Sequence, residues 1–184
     1  MKIQTSVKRN TFPMRFITIT VFILLTSLAG KAQIADTINY LHEGDQIPDF
    51  NIPMEDGTTV SSSDLKGKVI VLSFFATWCG PCLRELPHVQ SEIWNKYKSN
   101  PNFRLFVIGR EHSKEEMAKF KTDKKYTFPI IADSKREIFS LFAKQNIPRM
   151  YLIDVTGKIV LMTEGFEESK FQLFLKKLDS ELKK

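Results

Sequence analysis

Two cysteines stand three positions apart in the segment Trp78-Cys79-Gly80-Pro81-Cys82, and the chain has no others. Sulfurs at this spacing can bond to each other with little distortion of the backbone. If a helix begins here, its unpaired N–H groups and its dipole stabilise a thiolate at its first residues. Gly80 and Pro81 suit the tight turn into such a helix, because proline needs no N–H partner there. We therefore expect Cys79 to be an exposed nucleophile and Cys82 to be the resolving thiol.

Three kinds of site could use this pair of cysteines. A zinc site needs four ligands, and none of the three histidines, His42, His88 and His112, lies in a ligand-spaced pair. We expect His88 and His112 to be surface residues. A purely structural disulfide would close a very short loop and stabilise the fold little. A redox-active dithiol fits best, with no metal and no cofactor besides the cysteine pair itself.

The cysteines lie between a predicted strand and a predicted helix. Residues 69–75 are a continuous apolar, β-branched run, which is typical of a strand buried on both faces. Residues 82–98 repeat apolar side chains at helical spacing.

The other elements alternate along the chain. A hairpin is predicted at 50–60, and Ser63 and Asp64 are expected to cap a short helical turn that ends at Gly67. Then follow a strand at 103–109, a helix from Ser113 to about 124, a strand at 128–132, a short helix at 135–142, a hairpin at 150–163 and a last helix at 167–182. This order implies an α/β fold with a mixed central sheet and helices on both faces.

The amino terminus has the features of an export signal. Residues 1–32 contain five Lys or Arg and no Asp or Glu. The apolar run at 16–28 suits a signal peptide and is short for a transmembrane helix. Gly30 and Ala32 are small residues in the positions that cleavage before Gln33 would need. We predict a signal peptide at 1–32 and a location outside the cytoplasmic membrane, in a bacterial periplasm or its equivalent. An uncleaved anchor through 16–28 is the alternative.

The rest of the chain is expected to be a polar lead-in at 33–45 and one domain at 46–184. Its charge argues against nucleic-acid binding: the formal net charge is +6, but the residues after 32 carry 22 basic and 21 acidic side chains. The high isoelectric point therefore belongs mostly to the predicted signal, and no basic surface for nucleic acid is indicated.

The active-site segment resembles that of the thioredoxin-fold superfamily. Pro87 stands where thioredoxins carry a helix-kinking proline, and Ile147-Pro148 resembles their cis-proline loop. The distance from Cys79 to Pro148 leaves room for one extra helix–strand unit. With the leading hairpin and the segments at 47–50 and 64–68, the chain is similar to the exported TlpA/ResA-like thiol–disulfide oxidoreductases, which are related to AhpC/TSA proteins.

The resemblance implies a thioredoxin fold with an amino-terminal β-hairpin and a helix–strand insertion. It also implies a mechanism: Cys79 attacks a partner's disulfide, and Cys82 then releases the reduced partner. The backbone of Ile147 would pair with the partner's chain as an added strand. Substrate contacts are expected at Trp78, Gly80, Pro81, Ile147 and Pro148, with Phe75 as a further candidate.

Three residues near the motif bear on the chemistry. Glu85 lies three residues after Cys82 on the same predicted helix face, where TlpA/ResA-like proteins carry a glutamate that tunes the cysteine pKa values. Ser73 departs from the buried aspartate of cytoplasmic thioredoxins, which leaves proton transfer to Glu85 or water. Arg149 departs from the threonine that usually follows the cis-proline, and this leaves the choice of partner open.

The function expected from this resemblance is an exported thiol–disulfide oxidoreductase that reduces disulfide-containing client proteins. It would draw electrons from a membrane dithiol donor, act as a monomer and take part in cytochrome c maturation. One alternative is a thiol peroxidase, although Leu72 and Ala76 replace the proline and threonine of the peroxiredoxin pattern. Another is a non-catalytic binding module, which the two retained cysteines argue against.

Overall fold

The computed structural model describes residues 1, 2, 4 and 38–184. The chain divides into two units, Met1–Ala35 and Asp36–Lys184, and the helices and strands given below belong to the second. The predicted signal peptide, with its apolar run at 16–28, lies almost wholly outside the described residues. Within the described part, no helix has the length and hydropathy needed to cross a bilayer.

A mixed five-stranded sheet forms the centre of the second unit. Its strands are β3 (Val69–Phe75), β4 (Phe103–Arg110), β5 (Ile130–Asp133), β6 (Arg149–Ile153) and β7 (Ile159–Glu164), in the order β5-β4-β3-β6-β7. β3, β4 and β5 are parallel, whereas β6 is antiparallel to both β3 and β7. The predicted hairpin is a separate antiparallel pair, β1 (Asn51–Pro53) and β2 (Thr59–Ser61).

Four helices complete the described fold. They are α1 (Gly80–His88), α2 (Lys114–Lys124), α3 (Phe139–Phe142) and α4 (Glu168–Glu181), with a 3-10 turn at Ser62–Leu65; the π-helix Val89–Trp94 and the short helix Asn95–Tyr97 continue α1 and are not counted separately. The parallel neighbours β3 and β4 are joined through α1, and β4 and β5 through α2. The predicted extra helix–strand unit corresponds to α2 and β5.

The sheet separates two hydrophobic cores, because successive side chains of a strand point to opposite faces. On one face Val71 and Phe75 of β3 pack with residues of α1, α2 and α4. On the other, Leu72 and Phe74 pack with α3 and the hairpin. This second core is rich in aromatic rings, among them Phe50, Phe74, Phe139, Phe142 and Tyr151. The mixed sheet with helices on both faces is thus confirmed.

Several predicted boundaries shift for local reasons. The N-cap of the 3-10 turn is Ser61 rather than Ser63, because the Ser61 side chain accepts from the Ser63 N–H; Asp64 contributes to the cap as expected, since its carboxylate accepts from the Ser61 N–H at 3.1 Å. The short helix predicted at 135–142 is confined to Phe139–Phe142. Arg136 has a positive φ of 60°, and the Asp133 carboxylate accepts from the N–H groups of Ile138 and Phe139, so a capped turn replaces the first half of the helix.

The helix that carries the cysteines changes its winding after Pro87. It begins at Gly80, two residues before the predicted start, and Pro87 lies inside it. A π-helical stretch, Val89–Trp94, follows and leads into a last helical segment at Asn95–Tyr97. Proline lacks the N–H that an α-helix needs in its interior, and wider turns are a common way to absorb such a break.

A carboxylate binds a backbone donor on each of the two outermost strands of the central sheet. At β5 the Ile130 N–H donates to Glu55, whose carboxylate is also bound by Lys121. At β7 the Met162 N–H donates to Glu43. We call Glu43 and Glu55 the edge carboxylates, because each satisfies a backbone donor that would otherwise be free to pair with another strand.

The described part of the predicted lead-in is docked on the domain. Asn39 forms an antiparallel bridge with Ala143, and Gln46 does so with Lys158. The backbone of Gly44 also bonds to Ile159. Residues 38–46 therefore extend the ordered unit beyond its predicted start at 46.

Candidate active site

The two cysteines are joined in a disulfide at the point where β3 passes into α1. A turn closed by the Cys79 N–H and the Ala76 carbonyl, at 3.2 Å, connects the strand to the helix. Cys79 is the N-cap of α1, and its sulfur accepts from the Cys82 N–H at 3.2 Å. Cys82 is fully buried and Cys79 is only 6% exposed, so the expectation that Cys79 is exposed is wrong, although it is the more accessible of the two cysteines. A negative charge on the Cys79 sulfur would thus meet both an N–H donor and the positive end of a helix dipole.

The loop before β6 faces this disulfide. The Ile147–Pro148 peptide bond is cis, as the sequence predicts. The Cys79 Sγ lies 3.7 Å from the carbonyl oxygen of Ile147. Pro148 is buried and Ile147 is half-buried, so the loop offers a partner its backbone more than its side chains.

The surface around the disulfide is formed by the residues between the cysteines and by Trp78. Trp78 is 62% exposed, and Gly80 and Pro81 are also exposed. Phe75, in contrast, is fully buried and packs against Phe120 in the core. The expectation that Phe75 contributes to a docking surface is wrong, since its position on β3 points it into the core that α1 covers.

Glu85 is a buried carboxyl group on α1, one turn after Cys82. It is 2% exposed, and its one side-chain hydrogen bond in the described structure comes from Ser73 Oγ, at 3.4 Å from Oε1. Burial raises the pKa of Glu85 to about 8, and the Ser73 hydroxyl offsets a part of that rise. The strand pattern explains the pairing: Ser73 points to the same face of the sheet as Phe75, which is the face that α1 covers.

Arg149, which follows the cis-proline directly, is fully buried and has several acceptors. Its guanidinium donates to the Glu164 carboxylate at 2.7 Å and to the backbone carbonyls of Gln145 and Asn146 at 3.1 and 2.9 Å. It also donates to the side chain of Asn39. Arg149 therefore ties the cis-proline loop to β7 and to the docked amino-terminal segment.

His112 and Arg110, at the end of β4, were not expected at the site. His112 is 5% exposed, so the expectation that it is a surface residue is wrong. Its Nε2 accepts from the Thr77 N–H at 3.0 Å. The guanidinium of Arg110 lies over the Trp78 ring, 5.6 Å from its centroid. The signal in the sequence is indirect: parallel neighbours β3 and β4 end at the same edge, so the residues after β4 must adjoin the cysteine turn.

His88 takes part in a separate polar cluster on the surface. Its Nδ1 lies 2.7 Å from Glu92 and its Nε2 lies 3.6 Å from Glu168. One potential ligand atom from each of His88, Glu92 and Glu168 lies within 4.8 Å of the others, and the two ring nitrogens of His88 face different carboxylates. Neither cysteine belongs to this cluster.

The arrangement as a whole can carry out thiol–disulfide exchange. It joins a buried sulfur and a nearly buried one at a helix N-terminus, an acceptor carbonyl beside the outer sulfur, and a titratable carboxyl one turn away. A pKa near 8 allows Glu85 to take up or release a proton at ordinary pH.

Comparisons with known proteins agree with this chemistry. Residues 43–162 match the AhpC/TSA family. The thiol-disulfide oxidoreductase ResA of Oceanobacillus iheyensis is 28% identical over 162 residues, covering 86% of this chain and 83% of that protein. The ResA of Bacillus cereus is 33% identical over 132 residues, covering 71% and 73%. A solved structure from Bacteroides thetaiotaomicron, assigned as a protein disulfide isomerase, is 35% identical with a TM-score of 0.77, covering 80% of this chain and 94% of that one.

Proposed function

This chain belongs to the AhpC/TSA family and is a thiol–disulfide oxidoreductase with a thioredoxin fold, and from that premise we propose that it reduces disulfides of protein partners outside the cytoplasm. The observation that carries the proposal is the position of Cys79. Its sulfur caps α1, lies beside the Ile147 carbonyl and is flanked by the exposed ring of Trp78.

In the first half of the proposed reaction the reduced protein meets a partner disulfide. The Cys79 thiolate attacks one sulfur of that disulfide, and the other sulfur leaves as a thiolate, which forms a mixed disulfide between the two proteins. The Cys82 N–H and the dipole of α1 stabilise the Cys79 thiolate before the attack.

In the second half Cys82 completes the transfer. Its thiolate attacks the Cys79 sulfur, the partner leaves with its second thiolate, and the Cys79–Cys82 disulfide remains. Two electrons have then passed to the partner, and two protons follow to its thiols. Glu85 is suited to take the proton of the buried Cys82 thiol, since its pKa of about 8 is close to that of a thiol. We assign Glu85 this role and the tuning of the cysteine pKa values.

The partner is proposed to dock across the turn and the cis-proline loop. Trp78, Gly80 and Pro81 give an exposed contact on one side of the disulfide. The backbone of Ile147, with Pro148 holding the loop, is suited to pair with an extended segment of the partner as an added strand. Specificity would then rest on a few surface side chains and on the shape of the loop.

Reduction is the proposed direction, because Gly80 and Pro81 between the cysteines form the thioredoxin pair, which is associated with a low potential. The protein would need a membrane dithiol donor to renew its thiols, and it would need no cofactor besides the cysteine pair. The resemblance to TlpA/ResA-like proteins supports clients such as the haem-site cysteines of apocytochrome c. The basic, apolar amino terminus supports export of the chain, and a monomer is proposed as its working form.

The test is the reduction potential of the Cys79–Cys82 pair, measured by equilibration in dithiothreitol and glutathione buffers. A value near the thioredoxin level, about −270 mV, is expected for a reductant. A value near the strongly oxidising level, about −120 mV, would reverse the proposed direction. Cys79→Ser and Cys82→Ser are the matched controls, and only the second should trap a stable mixed disulfide with a client.

Two further measurements distinguish the proposed function from a thiol peroxidase and the proposed export from a membrane-anchored protein. Rapid consumption of peroxide by the reduced protein, in proportion to both concentrations, would favour a peroxidase instead. Amino-terminal sequencing of the protein recovered from expressing bacteria should give Gln33 as the first residue. Recovery of an intact amino terminus in the membrane fraction would favour the anchor through 16–28.

A further inference from the structure

The turn that presents Cys79 is held from outside by residues 110–112, a segment that begins at the last residue of β4. Thr77 and Trp78 are the two central residues of this turn, which the Cys79 N–H closes onto the Ala76 carbonyl. His112 binds the backbone of the first and Arg110 covers the side chain of the second. Neither contact is a part of the disulfide or of the cis-proline loop, so together they form a separate support for the nucleophile.

The contact of His112 is directional. The Thr77 N–H donates to Nε2 at 3.0 Å, and the Thr77 hydroxyl lies 3.3 Å from the same nitrogen. A nitrogen that accepts from a backbone N–H carries no proton, so we assign the ring proton to Nδ1. Nδ1 is buried and makes no hydrogen bond among the described residues; a carboxylate oxygen of Glu116 lies 3.4 Å away, so the assignment of the proton rests on the contact of Nε2.

The backbone of the segment is shaped to make both contacts. Glu111, between Arg110 and His112, adopts the left-handed conformation with φ of 65°. Its N–H donates to the Asp133 carbonyl at 2.9 Å, and its carboxylate binds the Arg110 guanidinium at 3.1 Å. Non-glycine residues adopt this conformation only where their surroundings hold them in it. The sharp turn at Glu111 is thus fixed by β5 and allows the residues on either side of it to reach the cysteine turn.

We propose that His112 is a positioning residue for thiol–disulfide exchange: its neutral Nε2 holds the Thr77 peptide and thereby sets the place of the Cys79 sulfur. Arg110 assists by fixing the ring of Trp78. The inference rests on the redox chemistry of the cysteine pair, and it is independent of the direction of electron flow and of the cellular location. It extends the site to a fourth stretch of chain, after the cysteine turn, Glu85 and the cis-proline loop.

The experiment compares two substitutions in the full chain. His112→Gln places an amide oxygen close to the position of Nε2, whereas His112→Phe keeps a ring of similar size and removes the acceptor. The measurement is the rate constant at which the reduced protein reacts with oxidised glutathione at constant pH. We expect His112→Phe to lower it roughly tenfold and His112→Gln to keep it within about twofold of wild type, because small displacements of a nucleophile have large kinetic effects. His88→Phe, which alters the separate surface cluster, should leave the rate unchanged.

A fluorescence signature of Trp78 accompanies the rates. The chain has two tryptophans, and Trp94→Phe leaves Trp78 as the one reporter. In that background the emission change on reduction of the disulfide should persist with His112→Gln and be altered with His112→Phe. Equal losses of rate in the Gln and Phe variants would indicate a packing role and overturn the proposal, as would a Phe variant with the rate of wild type. A wild-type protein without any thiol exchange would instead refute the redox chemistry.

A measurement on the wild-type protein keeps the test decisive if the Phe variant does not fold. Long-range nitrogen–proton NMR correlations distinguish the two neutral forms of a histidine ring. We expect His112 to carry its proton on Nδ1, with Nε2 unprotonated. A proton on Nε2 would exclude acceptance from the Thr77 N–H, and the proposal would fall.

Discussion

Glu85 and Arg149 are both ionisable, both buried and both adjacent to the active-site loops, yet their surroundings differ. Arg149 is paired with Phe74 across β3 and β6, so its side chain shares the face of the aromatic core. The Arg149 guanidinium donates hydrogen bonds to one carboxylate, one side-chain amide and two backbone carbonyls. Glu85 lies on the opposite face and has a single hydroxyl as partner. A buried charge with several partners keeps its charge and fixes the backbone, whereas a buried acid with one weak partner becomes a group that titrates near neutral pH.

Of the substitutions that test this comparison, Glu85→Gln should give the largest change in the free energy of unfolding. Folding raises the pKa of Glu85 from an ordinary 4.5 to about 8, so between these values the folded protein keeps a proton that the unfolded chain has lost. The stability contributed by this group is therefore complete below pH 4.5 and falls as the pH rises to about 8, by about 5 kcal/mol in all and about 3 kcal/mol at pH 7. Glu85→Gln should remove this slope and make the oxidised protein more stable at pH 8 than wild type in urea unfolding.

The matched control is Glu181→Gln. Glu181 is also buried, but Lys177 and Lys184 pair with it and the pKa of its carboxyl is lowered, so this substitution should destabilise the protein at neutral pH. If Glu85→Gln left the pH dependence of wild type in place, another group would be responsible for it, and Glu85 would resemble Arg149 more than the structure indicates.

Replacing Arg149 by Met should give the second largest effect, with the opposite sign. The substitution keeps most of the side-chain length and removes the donors that Arg149 supplies to Glu164, Asn39 and the two carbonyls of the cis-proline loop. We expect a loss of about 3 kcal/mol in the free energy of unfolding at pH 7, because the charge-assisted hydrogen bonds that tie the cis-proline loop to β7 and to the amino-terminal segment are lost. Arg149→Lys should be intermediate, since one ammonium group cannot reach the same set of acceptors. If Arg149→Met left the free energy of unfolding unchanged, the hydrogen bonds of Arg149 would not offset the cost of burying its charge.

Replacing Ser73 by Ala should change the free energy of unfolding least, and it tests how far the Ser73 hydroxyl lowers the pKa of Glu85. The Ser73 hydroxyl bonds to the carboxylate and lowers its pKa against the effect of burial. Its loss should raise the pKa of Glu85 further above 8, with little change in stability at acid pH, where the carboxyl is protonated in both states. The measurement is the midpoint of the carboxylate infrared band in the oxidised protein. A midpoint that falls would show that another donor reaches Glu85 once Ser73 is absent.

Local patterns in the sequence predict most of the fold. The apolar run of β3, the capping box of Ser113 and Glu116 and the two hairpins follow from short-range spacing and were confirmed. The cysteine motif and Pro148 likewise identify the centre of the site, because both are short and specific. The length of the short helix α3 was overestimated, since Asp133 at the end of the preceding strand β5 binds the N–H groups of Ile138 and Phe139 and so delays the start of the helix.

Contacts between distant segments account for what the sequence did not predict. His112 has no unusual neighbours in the sequence, and its role depends on the parallel pairing of β3 with β4. Arg149 was identified as a departure from the thioredoxin pattern, but its partners come from residues before β1 and from β7. Phe75 and Phe74 are adjacent and chemically identical, and only the register of β3 decides which of the two cores each one joins.

The edge carboxylates have a consequence for how the protein behaves when many copies crowd together. A sheet with open edges can recruit a strand from a neighbouring molecule, and stacks of such sheets grow into insoluble fibrils. Here Glu55 and Glu43 place a bound carboxylate on each border, so an approaching strand meets an occupied donor and a negative charge. A chain that lacked these two carboxylates would leave the Ile130 and Met162 N–H groups open to such a strand, and fibrils could then start from either border.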